Sequence, residues 1–151
     1  MIVGYTDDFI VLWDAASGRQ LRKIKVEGGF IKNVFSLAFS SDGAAISAAT
    51  DIGGQLWDTH TGKKIRTLGS KARTIETKFI PGGNALVLSC EGQTKIFDAA
   101  TDKLLFSITG DLFGFSPDGK TLATVSDSTA YLWDAATGSL LQKLAGAIGA
   151  I

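Results

Sequence analysis

Among 151 residues there is one cysteine, one histidine and two prolines, and fifteen basic side chains are cancelled by fifteen acidic ones. A single thiol, Cys90, permits no internal disulfide, which fits a reducing compartment. One histidine, His60, is too little to build the ligand clusters of zinc or haem chemistry. Zero net charge gives no electrostatic footprint for nucleic acid or for an anionic membrane. No apolar run is long enough to span a bilayer. The first thirteen residues are apolar but carry Asp7 and Asp8 and no basic start, unlike a secretory signal. The expectation is a soluble, cytoplasmic chain that binds neither nucleic acid nor membrane. No segment holds a helical apolar period over three turns. With 45% hydrophobic residues the chain can bury a core, and 18 glycines suit many tight turns.

What is present is a repeat. An aromatic followed by aspartate closes a short β-like run four times, at Trp13-Asp14, Trp57-Asp58, Phe97-Asp98 and Trp133-Asp134, at intervals of 44, 40 and 36 residues. Ala-Ala-Ser-Gly18, Thr-His-Thr-Gly62, Ala-Ala-Thr-Asp102 and Ala-Ala-Thr-Gly138 follow, each a small polar turn ending where a positive φ is easily reached. Leu21 and Ile24, Ile65 and Leu68, Leu105 and Ile108, and Leu141 and Leu144 then occupy the same two offsets, so each unit ends in the same amphipathic strand. Upstream, Phe39-Ser-Ser-Asp-Gly43, Phe79-Ile-Pro-Gly-Gly83 and Phe115-Ser-Pro-Asp-Gly119 read as hairpin turns between apolar runs. Six residues before each aromatic lies an acid, Asp7, Asp51, Glu91 or Asp127, expected to accept hydrogen bonds from a tight turn and hold the inner strands in register.

Each unit thus has four short strands, in one case Ile75 to Ile80, Ala85 to Ser89, Thr94 to Asp98 and Lys103 to Ile108. The fold class is all-β, and a period near 40 residues is that of β-propeller blades. With these motifs in fixed order, the chain resembles the WD-repeat β-propellers from about Ile2 to Leu144. The resemblance implies four-stranded antiparallel blades, about four of them or a partial propeller. They fall at 1–26 (a partial blade), 27–68, 69–108 and 109–144, with 145–151 starting a further strand or closing the ring. The family's Gly-His dipeptide before each first strand is missing. Gly28-Gly29, Gly69-Ser70 and Gly146-Ala147 lie near its place, so the family's buried His, Ser/Thr, Asp and Trp network cannot form in full.

The first unit has three strands, Ile2 to Thr6, Phe9 to Asp14 and Gln20 to Ile24. An open arc of blades leaves edges exposed. Three closures differ in meaning. The tail could pair with Ile2 to Thr6 in a four-bladed ring, two chains could join head to tail as an obligate homodimer, or the chain could be an excerpt of a longer propeller. The excerpt is the expectation, with dimerisation second.

The residues carry little chemistry. Cys90 ends a second strand, where a buried thiol behaves as a small hydrophobe, and His60 lies in a turn of the preceding unit. Asp7, Asp8, Asp42 and Asp118 form no Asp-x-Asp-x-Asp-Gly loop, and Gly28-Gly29, Gly53-Gly54 and Gly82-Gly83 lack the Lys-Ser/Thr of a P-loop. No catalytic residue, metal site or cofactor is expected. The Trp residues and Phe97 are structural, packing between sheets. By resemblance, partners bind where the fourth strand leads into the next blade and the second turns into the third. This face would present Glu27, Phe30, Lys32, Lys71, Arg73 and Asp111. The implied function is a non-catalytic scaffold recruiting proteins or peptides within a larger assembly. The alternatives are a propeller enzyme or redox-cofactor domain, and a non-functional fragment of a longer propeller.

Overall fold

The computed structural model describes residues 1–6, 9–26, 34–69 and 73–146. The chain divides into two compact units, Met1–Thr77 and Lys78–Ile151. In the first, β1 (Ile2–Thr6), β2 (Phe9–Trp13) and β3 (Gln20–Lys25) make a three-stranded sheet. β4 (Val34–Phe39), β5 (Ala45–Thr50), β6 (Gly53–Asp58) and β7 (Lys64–Leu68) make a four-stranded one. The boundary between the units falls inside β8 (Glu76–Phe79), which heads the sheet completed by β9 (Ala85–Cys90), β10 (Gln93–Asp98) and β11 (Leu104–Thr109). The last sheet is β12 (Asp111–Phe115), β13 (Thr121–Ser126), β14 (Thr129–Asp134) and β15 (Leu140–Ala145). Every sheet is a meander in which consecutive strands are neighbours, and no helix occurs among the described residues. Ala145, placed by the sequence in the segment beyond the last blade, is the final residue of β15. Residues 147–151 of that segment lie outside the described residues.

The turn after each aromatic has one design. Ser17 donates to Asp14 Oδ1 through its N–H at 2.8 Å and its hydroxyl at 2.7 Å. Thr61 does the same to Asp58, Thr101 to Asp98 and Thr137 to Asp134, at 2.6 to 2.9 Å. The residue that follows donates its N–H back to the aspartate carbonyl. That position takes a left-handed φ: 68° at Gly18, 72° at Gly62, 65° at Asp102 and 71° at Gly138. Hydroxyl and carboxylate three residues apart, then a residue tolerant of positive φ, are what this turn requires. At the upstream hairpins, Asp42 and Asp118 accept from Ser40 and Ser116 hydroxyls at 2.6 Å. These hydrogen bonds favour the charged carboxylate. Ser17 holds the Asp14 carboxyl below the usual aspartate range, and Thr61, Thr137, Ser40 and Ser116 do the same for Asp58, Asp134, Asp42 and Asp118.

The acids six residues before the aromatics work differently from the sequence expectation. Glu91 and Asp127 sit in the two-residue turns between second and third strands with φ of 51° and 52°. Among the described residues their carboxylates accept no turn hydrogen bond. Their contribution is a backbone conformation that Asp tolerates better than most L-residues and Glu adopts at some cost. Asp51 faces an arginine instead, and Asp7 lies outside the described residues.

A β-bulge recurs at the pairing of third and fourth strands, between Leu12 and Trp13, Leu56 and Trp57, Ile96 and Phe97, and Leu132 and Trp133. The extra residue on the fourth strand is Leu21, Ile65, Leu105 or Leu141, and these are 41%, 44%, 46% and 57% exposed. Their partners in the repeat, Ile24, Leu68 and Ile108, are at most 5% exposed. The two apolar offsets of the fourth strand therefore do not form one buried face. A spacing of three puts the two on opposite sides of a pleat, and the bulge at the first of them does not bring them together.

Sheets bury their faces against one another within each unit. In the first, Ile10, Leu12 and Ile24 meet Val34, Ile46, Ala48 and Trp57. In the second, Ile80, Val87, Ile96 and Ile108 meet Leu112, Leu122 and Ala135, with Phe115 and Trp133 alongside. In both, the residue just before the aromatic of one sheet packs toward the aromatic-bearing face of the next. Trp133 Nε1 donates to Thr124 Oγ1 at 2.9 Å, and Thr124 donates to the Thr109 carbonyl at 2.7 Å. With no Gly-His dipeptide to supply an imidazole, the hydroxyl turns to a backbone oxygen. Gln55 sits fully buried on β6, and neither its Nε2 nor its Oε1 finds a hydrogen-bond partner among the described residues.

Three outcomes are expected from this packing. Trp57→Ala destabilises the protein by about 3–5 kcal/mol, as for a large aromatic lost from a closed core, and chemical denaturation showing less than about 1 kcal/mol would refute the register. Gln55→Leu raises stability, because an unsatisfied buried amide costs about 1–3 kcal/mol and an aliphatic side chain does not; a lowered melting temperature would contradict this. The depressed carboxyls give a third. Since their folded pKa lies below the unfolded value of about 3.9, their stabilisation is present above that pH and is lost as pH falls through the folded pKa. Melting temperature should therefore drop below about pH 4, and Asp58→Asn should flatten that acid limb; an unchanged limb would exclude the turn carboxylates as its cause.

Candidate interaction face

At one end of each four-stranded sheet, the turn between second and third strands is tied to the chain leaving the fourth. Thr74 N–H donates to Thr50 O at 3.0 Å, Gly110 N–H to Gly92 O at 2.8 Å, and Gly146 N–H to Ser128 O at 3.1 Å. The two loops expected to share a face are thus joined within each sheet by a backbone hydrogen bond.

In the first unit this end carries Arg73. Its Nε lies 3.7 Å from Asp51 Oδ1, and its guanidinium carbon lies 4.8 Å from the centre of the Phe35 ring. The side chain is 62% exposed, so the ion pair adds little stability, and the arginine remains available to another surface. Phe35 reaches it because β4 is bulged between Val34 and Ser36, which re-aims the residue between them. Ile52, half exposed in the same turn as Asp51, adds an aliphatic group.

In the second unit Asp111 opens β12 and accepts a hydrogen bond from Ser89 Oγ at 3.1 Å; that oxygen accepts from Leu112 N–H at 3.2 Å. This aspartate braces the entry to β12. Cys90 beside it is buried, and burial pushes its thiol up from the ordinary range, with Lys95 pulling down and Glu91 and Asp111 adding to the rise. The thiol is protonated at neutral pH, the unreactive form. His60 contacts Thr59 Oγ1 at 3.5 Å in the turn after β6. Among the described residues no three His, Cys, Asp or Glu side chains are grouped to hold a metal ion.

Of the six residues assigned to this face, Arg73 and Asp111 are placed, each in a separate unit. Glu27, Phe30, Lys32 and Lys71 lie outside the described residues. Phe35 was missed, as was Phe113, which sits at a second bulge, between Leu112 and Gly114, and is 75% exposed. Both follow an apolar neighbour, Val34 or Leu112, and two adjacent apolar residues interrupt the alternation of a half-buried strand. That interruption was the available signal.

The sequence profile of the family described as WD domain, G-beta repeat matches residues 59–134, half of the chain. No curated protein matches at a significant level. Among solved structures, the β-propeller domain of Cps50 (Swd1) from Myceliophteria thermophila is similar, with a TM-score of 0.74 and 18% identity. The alignment covers 93% of this chain and 49% of that one, so this chain spans about half the length of that propeller. At such identity the likeness is one of fold, and it agrees with the meander sheets and the aromatic-to-face packing. The chain belongs to the WD domain, G-beta repeat family and has the β-propeller fold.

Proposed function

We propose that this protein is a non-catalytic interaction scaffold that recruits other proteins or peptides into a larger assembly in the cytoplasm. The family supports a protein-interaction role of this general type. The observation that carries the particular reading is the cluster of Arg73, Phe35 and Asp51: an exposed guanidinium stacked on an aromatic ring and steadied by a carboxylate, on loops pinned by backbone hydrogen bonds. Arginine and aromatic side chains are over-represented among residues that dominate interface energies. Stacking orders the arginine before a partner arrives, which lowers the entropy lost on binding. The partner surface that fits is acidic at its centre with an apolar margin for Ile52.

The test is capture of partners by the tagged chain followed by affinity measurement on the captured protein. Arg73→Glu should weaken binding by at least about tenfold, or 1.4 kcal/mol, while leaving the melting temperature within about 2 °C, since an exposed pair contributes little to folding. Equal binding by both forms would remove this face from consideration.

A further inference from the structure

Thr59 and Ala135 hold the same place in their repeats, two residues after Trp57 and Trp133. Each donates its N–H at 2.9 Å to the residue after a hairpin glycine, Thr59 to the Ala44 carbonyl and Ala135 to that of Lys120. The hairpins match as well. Gly43 and Gly119 both have a φ of 70°, and each donates its N–H at 2.9 Å to a serine carbonyl, that of Ser40 or Ser116. Thr59 then adds what Ala135 cannot. Its hydroxyl lies 2.8 Å from the Gly43 carbonyl oxygen and 3.0 Å from that of Ala44, in a side chain that is buried. With the same backbone, the Gly119 carbonyl points to where such a hydroxyl would be. Ala135 has none, and the Gly119 oxygen accepts no hydrogen bond among the described residues. Gly119 is nonetheless buried, and buried carbonyls are seldom left without a partner.

A cavity opens at this place. It measures about 480 Å³, within the ~300–1,000 Å³ usual for ligand sites. Ile80, Ala85, Leu105 and Ala135 give it apolar walls, while Gly119 and Lys120 line it from the hairpin and Asp134 from the turn after β14. All belong to the second unit, and the cavity lies between two sheets that pack on each other, not on an outward sheet face. Lys120 is exposed and forms no ion pair among the described residues. Asp134 is anchored by the Thr137 N–H and hydroxyl at 2.8 Å. The lining therefore carries one charge of each sign.

The occupant that fits is uncharged, has an apolar body, and ends in a group able to donate to a carbonyl and accept from an ammonium. A phenolic hydroxyl does both, whereas an indole N–H only donates. A plain phenyl ring would leave the Gly119 oxygen unpaired. A phosphate would meet the Gly119 carbonyl and the Asp134 carboxylate, both repulsive to it. We propose that this cavity docks a tyrosine side chain from an extended segment of a partner protein, with its ring against Ile80, Ala85 and Leu105 and its hydroxyl between the Gly119 carbonyl and the Lys120 ammonium. The site is independent of the face around Arg73.

Amide NMR titration of the isotope-labelled protein with the blocked tripeptide acetyl-Gly-Tyr-Gly-amide tests it. The amides of Gly119, Lys120, Ala135 and Ala136 should shift and saturate in the millimolar range, the affinity of a single side chain. The matching phenylalanine peptide should bind at least about tenfold more weakly, and the phosphotyrosine peptide should not bind. Ala135→Thr, which puts the hydroxyl of Thr59 into the cavity, should abolish the tyrosine-induced shifts without lowering the melting temperature. Should that variant not fold, Lys120→Met, at an exposed position, should weaken the tyrosine peptide toward the phenylalanine one. No saturable shift at these amides, equal binding of the tyrosine and phenylalanine peptides, or undiminished tyrosine binding by Ala135→Thr or Lys120→Met would overturn the proposal.

Discussion

A meander of three or four short strands has two faces and too little core of its own, so each sheet here must bury a face against another of its kind. The rest of the structure follows from that constraint. It requires an aromatic large enough to fill the gap between twisted sheets, and a small or aliphatic bed to receive it. It also requires turns that fix the register so that alternate residues point the right way. Trp57 resting on Leu12 and Ile10 is the clearest case. The same geometry recurs around Ile96 and Leu122, although neighbouring residues there differ.

The turns were legible because their chemistry is local. Asp followed three residues later by Ser or Thr, then by Gly or Asp, leaves few backbone paths, and all four occurrences take the same one. Strand positions were legible for the same reason: they are what lies between the turns. For the unit read as Ala85 to Ser89 and Thr94 to Asp98, the strands are Ala85–Cys90 and Gln93–Asp98, a difference within ordinary fraying. The acids before the third strand were misread because a carboxylate near a turn suggests a hydrogen-bond acceptor. At Glu91 and Asp127 the turn is satisfied by φ alone, and a sequence does not show which of the two a turn will use.

The bulges were harder to see, since they depend on pairing across strands. Yet Leu21 to Ile24 and its three counterparts already violate a period of two, and a repeated violation is better read as geometry than as noise. The candidate face was legible only in outline. Arg73 could be placed on a loop from sequence, but its stacking on Phe35 depends on a bulge in a strand far away in the chain, so neither residue alone announces the pair. Residues that recur in every unit serve the sheets, and those that set one unit apart are where recognition can be built.

The recurring bulge has a consequence for how such a molecule can associate. β3, β7, β11 and β15 are the ends of their sheets, and an edge strand ordinarily offers a straight row of amide and carbonyl groups to any extended chain that passes. Inserting Leu21, Ile65, Leu105 and Leu141 out of register breaks the rhythm of each such row and adds twist at one point. Lateral extension by a foreign strand is thereby obstructed at β3, β7, β11 and β15. Each of these four strands is guarded against the sideways addition from which fibrils form.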